Sequence, residues 1–203
     1  MKIIELYGYS CSGKSYAANE INLRENIDLS FSKISKKNRI FRFLTKLSFV
    51  FLVKYSDLIF IYNIHREFKF LKIKYKLKNF FSFLYLVGFI RDNVKKNKSV
   101  IIDHGIFQCL FSCYIFAKET NIDQKKISHY VSEFFTKFPI NFDYKIICMK
   151  TDIKTIKLRL KNTKKFSNLN FLENNEYKIK GTYINLKNIS KFISNEFIDF
   201  QSI

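Results

Sequence analysis

A glycine-rich octapeptide near the N-terminus constrains this chain more than any other feature. Residues Gly8 to Ser15 read GYSCSGKS, which fits the pattern G-x-x-x-x-G-K-[ST]. An apolar run from Lys2 to Tyr7 precedes it, and residues 15–23 carry small and apolar side chains at helical spacing. A strand, loop and helix in this order direct several backbone N–H groups towards one anion. The sequence therefore predicts a binding site for the phosphates of a nucleotide.

Each part of this loop has an expected role. Lys14 would reach the β and γ phosphates, and the Ser15 hydroxyl would ligate the Mg²⁺ that bridges them. Glycines at both ends permit the turn. The predicted nucleotide-binding residues are Gly8, Ser10, Cys11, Ser12, Gly13, Lys14, Ser15 and Tyr16. The predicted cofactors are ATP, or another nucleoside triphosphate, and Mg²⁺.

The net charge of +19 invites a second interpretation, in which the chain binds nucleic acid or an anionic membrane. Thirty of its 36 basic residues are lysines, although arginine is the better bidentate ligand for phosphate. The basic residues are also scattered along the chain and form no patch. Composition therefore favours small-molecule partners, a nucleoside triphosphate and an acceptor, and leaves the oligomeric state open.

Neither the cysteines nor the apolar segments indicate a metal site or an exported protein. The four cysteines, which lack the spacing of zinc ligands, are Cys11, Cys109, Cys113 and Cys148. The chain begins directly with a core strand, which leaves no room for a leader peptide. The most apolar later stretch, Leu47 to Val53, is too short to span a membrane. We expect a cytoplasmic protein with reduced thiols.

The alternation of apolar runs and helical patterns predicts an α/β fold with a parallel sheet of about five strands covered by helices on both faces. The strands are predicted at residues 2–7, 99–103, 144–149 and 182–186, and residues 27–34 fit a further strand or an extended loop. The chain has the length and apolar content of a single domain, residues 1–203.

Helices are predicted between these strands. Two or three of them fill the stretch from Phe43 to Val94, after a basic turn at 35–42. The later helices are predicted at residues 106–118, 125–138, 153–162 and 189–200, with Asp123 as a cap of the second and Thr151 and Asp152 as caps of the third. The polar, asparagine-rich residues 164–180 are predicted to be mobile.

A second motif follows the strand at 99–103. Residues Val100 to Gly105 read VIIDHG, so the strand delivers Asp103 to the carboxyl edge of the sheet, where such sheets bind ligands. A plain structural role, capping the next turn, is the alternative for Asp103. His104 has no partner at a useful spacing, which favours a structural role for it.

These motifs resemble the nucleoside and nucleotide kinase branch of the P-loop kinases, which includes thymidylate and adenylate kinases. The resemblance implies a P-loop NTPase fold, a three-layer sandwich, with a helical acceptor or lid insertion around residues 40–98 and a mobile lid around 159–180. It implies that Asp103 contacts the metal or acts as general base. It also implies that Arg159, in the lid, stabilises the transferred phosphoryl group, so that the predicted catalytic residues are Lys14, Asp103 and Arg159.

The acceptor is not specified by any motif. The tandem arginines of adenylate kinase lids are absent, and His104 stands where thymidylate kinases have arginine after the strand-end aspartate. The remaining candidates for gripping an acceptor phosphate are Arg39, Arg42, Arg66 and Arg91. The sequence thus predicts an ATP-dependent kinase acting on a nucleoside, nucleotide or sugar-like molecule. The alternatives are a nucleotide-binding switch without catalysis and a basic protein acting on RNA or at a membrane surface.

Overall fold

A parallel β-sheet with the N-terminal strand at its centre organises the fold. The computed structural model of the chain describes residues 1–29, 38–68, 71–117, 122–138, 143–193 and 198–202. Its strands are β1 (Lys2–Tyr7), β2 (Val100–Ile102), β3 (Asp143–Cys148) and β4 (Ile198–Ser202). They lie in the order β2-β1-β3-β4, and each neighbouring pair is parallel. The predicted α/β class with a parallel sheet is therefore confirmed.

Helices account for most of the remaining described residues. They are α1 (Lys14–Glu25), α2 (Arg39–Val50), α3 (Tyr55–Glu67), α4 (Ile73–Lys95), α5 (Ile106–Phe116), α6 (Gln124–Phe135), α7 (Ile153–Asn162), α8 (Phe166–Asn174) and α9 (Glu176–Ile193). We call α2, α3 and α4 together the helical insertion. Two or three helices are expected between Phe43 and Val94, and the described residues there form three. The first of them, α2, begins at Arg39, inside the predicted basic turn.

The central strand is buried on both faces, which explains its nearly continuous apolar sequence. Ile3 and Tyr7 face the larger apolar cluster, and Ile4 and Leu6 face a smaller one that α1 covers. This alternation is the two-residue period of a β-strand. The larger cluster is rich in aromatic side chains, and the ring of Phe107 in α5 lies 5.7 Å from that of Tyr7.

Strand register brings the ends of three strands together. In β1, Glu5 pairs with Ile102 of β2, and Tyr7 pairs with Cys148 of β3. Because all three strands run in the same direction, the segments that follow them meet at one edge of the sheet. The glycine-rich loop after β1, Asp103 after β2 and the β3–α7 connection therefore share this carboxyl edge.

The prediction of five strands is wrong, since four are present among the described residues. The described part of the predicted strand at 27–34 forms one isolated bridge, between Asp28 and Val100, and residues 30–34 lie outside the described part of the chain. The predicted strand at 182–186 lies inside α9. Buried side chains there recur every three or four residues, at Ile179, Tyr183, Leu186 and Ile189. Five residues were too few to distinguish this helical period from a strand.

The C-terminal region also differs from the prediction. The expected helix at 189–200 is wrong in its second half, because α9 ends at Ile193 and strand β4 begins at Ile198. The polar residues 164–180 form α8 and the start of α9, and the mobility predicted for them stays a prediction. Leu169 and Leu172 anchor α8 in the core, so a few apolar side chains suffice to fix this polar segment.

A buried ion pair joins two helices of the insertion. Asp57 of α3 is fully buried, and Arg91 of α4 donates to it from Nε and Nη2 at 2.5 and 2.6 Å. The backbone N–H of Lys54 donates to the same carboxylate at 2.9 Å. The guanidinium carbon of Arg91 lies 5.0 Å from the centre of the Phe138 ring. Three donors thus compensate the cost of burying this carboxylate.

Within the described residues, no single helix is long and apolar enough to cross a membrane. Residues Phe43–Val50 and Tyr55–Glu67 meet the length and composition criteria only as a pair, and the two helices are bent by 108° at the break between them.

Candidate phosphate-binding site

The glycine-rich loop turns sharply between β1 and α1, as the motif predicts. Gly8 has φ 153° and Gly13 has φ 98°, a region of backbone space that disfavours side chains. A Cβ atom on Gly8 would also lie 2.7 Å from the carbonyl oxygen of Met149. Cys11 adopts φ 63° between them, so three residues of the loop use the left-handed region. Glycine takes up this conformation without strain, so Cys11 is the residue of the three whose backbone is strained.

The loop leaves donors free at the start of α1. Of the described residues, none accepts a hydrogen bond from the backbone N–H groups of residues 13–16. The first helical bond of this turn runs from the N–H of Ala17 to the carbonyl oxygen of Gly13, at 3.0 Å. Four aligned N–H groups at the positive end of a helix dipole form an anion-binding site.

Lys14 folds back over the loop. Its ammonium donates to the carbonyl oxygens of Gly8 and Tyr9 at 2.7 and 2.9 Å. Burial lowers the pKa of Lys14 to about 8, while the nearby carboxylate of Asp103 opposes this shift and the charge of Lys165 adds to it. Lys14 is therefore a cation near neutral pH, held against the loop.

Other elements hold the loop in shape. The N–H of Gly8 donates to Gln108 Oε1 of α5 at 3.0 Å, and the N–H of Tyr9 donates to the Tyr183 hydroxyl of α9 at 2.9 Å. From the β3–α7 connection, Thr151 donates to the carbonyl oxygen of Ser12 at 2.6 Å. These contacts fix the backbone before a ligand arrives, which lowers the entropic cost of binding. Sequence reasoning missed Gln108 and Tyr183, because neither lies in a motif.

The predicted lid residue lies against the loop. Nη1 of Arg159, in α7, donates to the carbonyl oxygen of Cys11 at 3.2 Å. Lys165 and Thr163, from the turn after α7, approach the Cys11 sulfur at 4.0 and 3.9 Å. Two cations from this segment therefore stand beside the free N–H groups, where negative charge on a ligand would be neutralised.

A cavity of about 830 Å³ lies above this loop. Sites for small ligands have volumes of about 300 to 1,000 Å³. The lining of the cavity includes Ser10–Tyr16 of the loop and the first residues of α1, Met149–Thr151 after β3, and Arg159, Thr163 and Lys165. Seven of the eight residues predicted to bind the nucleotide lie in this lining, and Gly8 does not. The structure thus brings the predicted binding residues together.

Asp103 directly follows the neighbouring strand, β2, at the same edge of the sheet. It is half-buried, and its charge acts on Lys14, as described above. The pKa of Tyr85, in α4, is raised by burial and further by this carboxylate, so Tyr85 also lies nearby. His104 is exposed and interacts electrostatically with Lys46 of α2 and Lys78 of α4. The carboxyl edge and the helical insertion therefore flank one polar region around Asp103.

A buried carboxyl group lies beneath the site. Glu5 accepts hydrogen bonds from the N–H of Gln108 at 2.8 Å and from the Tyr144 hydroxyl at 2.6 Å. Burial raises the pKa of Glu5 to about 7, and these hydrogen bonds limit the rise. A Cβ atom on Gly105 would lie 2.2 Å from Cδ of Glu5, so glycine is required for α5 to begin this close to the carboxyl group. No sequence pattern indicates this role, because Glu5 lies in an otherwise apolar strand.

The four arginines proposed to grip an acceptor have different surroundings. Arg91 is paired with Asp57 in the interior, as described above. Arg66 is exposed and donates to the Tyr130 hydroxyl at 3.0 Å. The side chains of Arg39 and Arg42 lie outside the described part of the structure. The structure brings neither Arg66 nor Arg91 to the loop.

A Mg²⁺ ion at the carboxyl edge would have to be held jointly with phosphate. Among the described residues, no group of three or more His, Cys, Asp or Glu side chains is placed to hold a metal ion by itself. Mg²⁺ in phosphate sites needs only one or two protein oxygens, because phosphate and water complete its shell. The hydroxyl of Ser15, at the second residue of α1, and the carboxylate of Asp103 are available for this purpose.

Comparisons with known proteins give no identification. No protein-family model matches the chain, no curated protein is similar to it in sequence, and no solved structure matches its fold.

Proposed function

We propose that this protein is a P-loop kinase, which transfers the γ-phosphoryl group of ATP, or of another nucleoside triphosphate, to a small acceptor. The observation that carries the proposal is the anion cradle formed by residues 8–16. Free N–H groups, a lysine and an arginine converge there at the carboxyl edge of a parallel sheet. The sheet order, with the loop strand between β2 and β3, supports the same assignment.

Each residue at the site would have a separate role in phosphoryl transfer. The N–H groups at the start of α1 would bind the β-phosphate, and Lys14 would turn from the loop carbonyls to the phosphate oxygens. Arg159 would neutralise charge that develops on the transferred group. Bound Mg²⁺, held through Ser15, would offset the charge of the triphosphate.

Asp103 would orient the acceptor or accept its proton. It lies close enough to Lys14 to alter its pKa, so an acceptor hydroxyl beside this carboxylate would also be near the bound phosphates. Lys46 and Lys78 place positive charge on the same side, from the helical insertion. This charge favours an acceptor that itself bears phosphate, with nucleosides and sugars as the further classes to test.

The test is a screen for phosphorylated products. The protein would be incubated with ATP and Mg²⁺ and with nucleosides, nucleoside monophosphates and sugars, and mass spectrometry would detect an acceptor that has gained a phosphoryl group. Asp103→Asn keeps the shape of the side chain and removes its charge, and we expect it to slow transfer by about 10² to 10⁴-fold. Asp152→Asn, at the cap of α7, is the matched control and is expected to leave the rate nearly unchanged.

Two outcomes would contradict the proposed kinase activity. Tight nucleotide binding without any phosphorylated acceptor, unaffected by Asp103→Asn, would indicate a nucleotide-dependent switch. Absence of nucleotide binding would remove the loop from the function altogether.

A further inference from the structure

The outer face of α2 is apolar, although it points away from the protein. Its exposed side chains recur every three or four residues and continue into the following turn: Ile40, Phe43, Leu44, Leu47 and Phe51. Their exposed fractions range from 43% at Leu47 to 80% at Phe51. We call these five side chains the α2 stripe. A soluble helix normally turns such a stripe towards the core.

Contacts on the opposite face fix this orientation. The Phe49 ring lies 5.7 Å from that of Tyr85 and 5.4 Å from that of Phe89, both in α4. The ammonium of Lys46 lies 5.1 Å from the centre of the Tyr85 ring. Turning the α2 stripe inward would break these contacts, so the stripe is available to a partner while α2 is packed on α4.

The segment that carries the stripe is basic. Residues 38–56 contain no Asp or Glu, and their basic residues are Arg39, Arg42, Lys46 and Lys54. The next acidic residue, Asp57, is fully buried and paired with Arg91. The sequence of this segment therefore combines the apolar stripe with positive charge and with no acidic residue to compensate it.

The combination of an apolar stripe and a basic segment distinguishes among three kinds of partner. A second copy of the chain, docked through the same surface, would place basic residues against basic residues with no carboxylate to pair them. RNA would attract the cations but would leave the aliphatic side chains in water. A bilayer surface with anionic headgroups matches both parts, since apolar side chains enter the acyl boundary and basic side chains contact the headgroups.

We propose that the α2 stripe docks this protein on the surface of a bilayer that contains anionic phospholipid. In the docked state α2 lies in the plane of the interface. It does not cross the bilayer, because its 12 residues are too few and α3 turns away by 108°. The inference rests on α2 and is independent of the proposed kinase activity.

The absence of tryptophan from the chain allows a direct test. In Phe51→Trp the introduced indole would be the only tryptophan and would occupy the most exposed position of the stripe. With vesicles of phosphatidylcholine and phosphatidylglycerol, we expect its emission to shift to the blue and to be quenched by lipids brominated on their acyl chains. Tyr177→Trp, at a position that is 74% exposed in α9, is the matched control and should show neither change.

A sedimentation assay separates docking from simple charge attraction. The variant Phe43→Ser/Leu47→Ser/Phe51→Ser keeps the full charge of +19, and we expect it to bind the anionic vesicles at least about tenfold more weakly than the wild type. The control Leu158→Ser/Ile184→Ser removes apolar side chains that are 60% exposed on α7 and α9, and it should bind as the wild type does. Circular dichroism would verify that every variant is folded.

Three results would contradict the proposal. Equal vesicle binding by the triple variant would show attraction by net charge alone. Equal binding to vesicles of pure phosphatidylcholine would remove the role of anionic lipid. A dimer detected by light scattering, lost in the triple variant while vesicle binding persists, would assign the α2 stripe to a second copy of the chain.

Discussion

The carboxyl edge of the sheet and the helical insertion use polar and apolar groups in opposite ways. At the edge, the loop backbone is held by Gln108, Tyr183 and Thr151. The N–H groups of residues 13–16 have no acceptor among the described residues, and Lys14 and Arg159 lie against the same loop. In the insertion, the polar pair of Asp57 and Arg91 is sealed inside, and apolar side chains of α2 face outward. Under the two proposals made above, this difference means that the first region would bind an anionic ligand and the second would dock on an anionic bilayer surface.

The largest change in the free energy of unfolding is expected from the buried ion pair of the helical insertion. Arg91→Ala would leave the carboxylate of Asp57 buried without its bidentate partner, and we expect a loss of about 3–5 kcal/mol in the free energy of unfolding. Urea denaturation measures this loss. Lys96→Ala, which removes an exposed ion pair with Asp92, is the control and should cost no more than about 1 kcal/mol. Equal losses would mean that the buried pair is not what holds α3 against α4.

The buried carboxyl group of Glu5 should make the free energy of unfolding depend on pH. Its pKa is raised from 4.5 to about 7 in the folded state, so unfolding releases a proton between these values. The free energy of unfolding therefore falls as the pH rises through this window, by about 3 kcal/mol in total. Glu5→Gln should abolish most of this fall, which denaturation at about pH 5 and about pH 8 would reveal. Glu173→Gln, at an exposed position, should retain it, and an unchanged pH profile in Glu5→Gln would exclude the buried carboxyl group as its source.

The variant Arg159→Ala tests whether the nucleotide site includes a residue of α7. Because its guanidinium already contacts the loop backbone, Arg159→Ala should remove a charged hydrogen bond to the nucleotide and weaken binding by about tenfold. Calorimetric titration with ATP and Mg²⁺ gives the affinity. Arg24→Ala makes the same change of charge at the far end of α1 and should bind as the wild type does. Matching affinities for both variants would place Arg159 outside the nucleotide site.

The smallest effect is expected on the outside of the insertion. Leu47→Ser alters an exposed side chain of the α2 stripe and should change the free energy of unfolding by no more than about 0.5 kcal/mol. Phe49→Ala, on the inner face of the same helix, should cost at least about 2 kcal/mol because it removes ring contacts with α4. Thermal or urea denaturation compares the two. A large loss for Leu47→Ser would mean that the α2 stripe is packed within the protein.

The sequence predicts the carboxyl edge better than it predicts the insertion, for a physical reason. The turn from β1 into α1 is encoded locally by the glycines and by Lys14, and the strand before Asp103 is a short apolar run, so residue spacing suffices. The outward face of α2 depends on its contact with α4, which spacing along the chain does not reveal. The buried role of Glu5 likewise depends on Tyr144, which is distant in sequence.

Short or polar segments account for the other differences. Residues 182–186 fit a strand when considered alone, but Tyr183 contacts the loop and the core as part of α9. Residues 164–180 contain many polar side chains, yet Leu169 and Leu172 give α8 enough buried surface to fold. In both cases tertiary packing decided between alternatives that local composition left nearly equal.

The most direct test of the site is the affinity of the wild type and of Lys14→Ala for ATP with Mg²⁺, measured by titration calorimetry beside Lys95→Ala, which removes an exposed lysine from the end of α4. If the loop binds the phosphates, Lys14→Ala weakens binding by at least about 100-fold, while Lys95→Ala matches the wild type. Equal affinity of the wild type and Lys14→Ala would contradict a phosphate site at the loop.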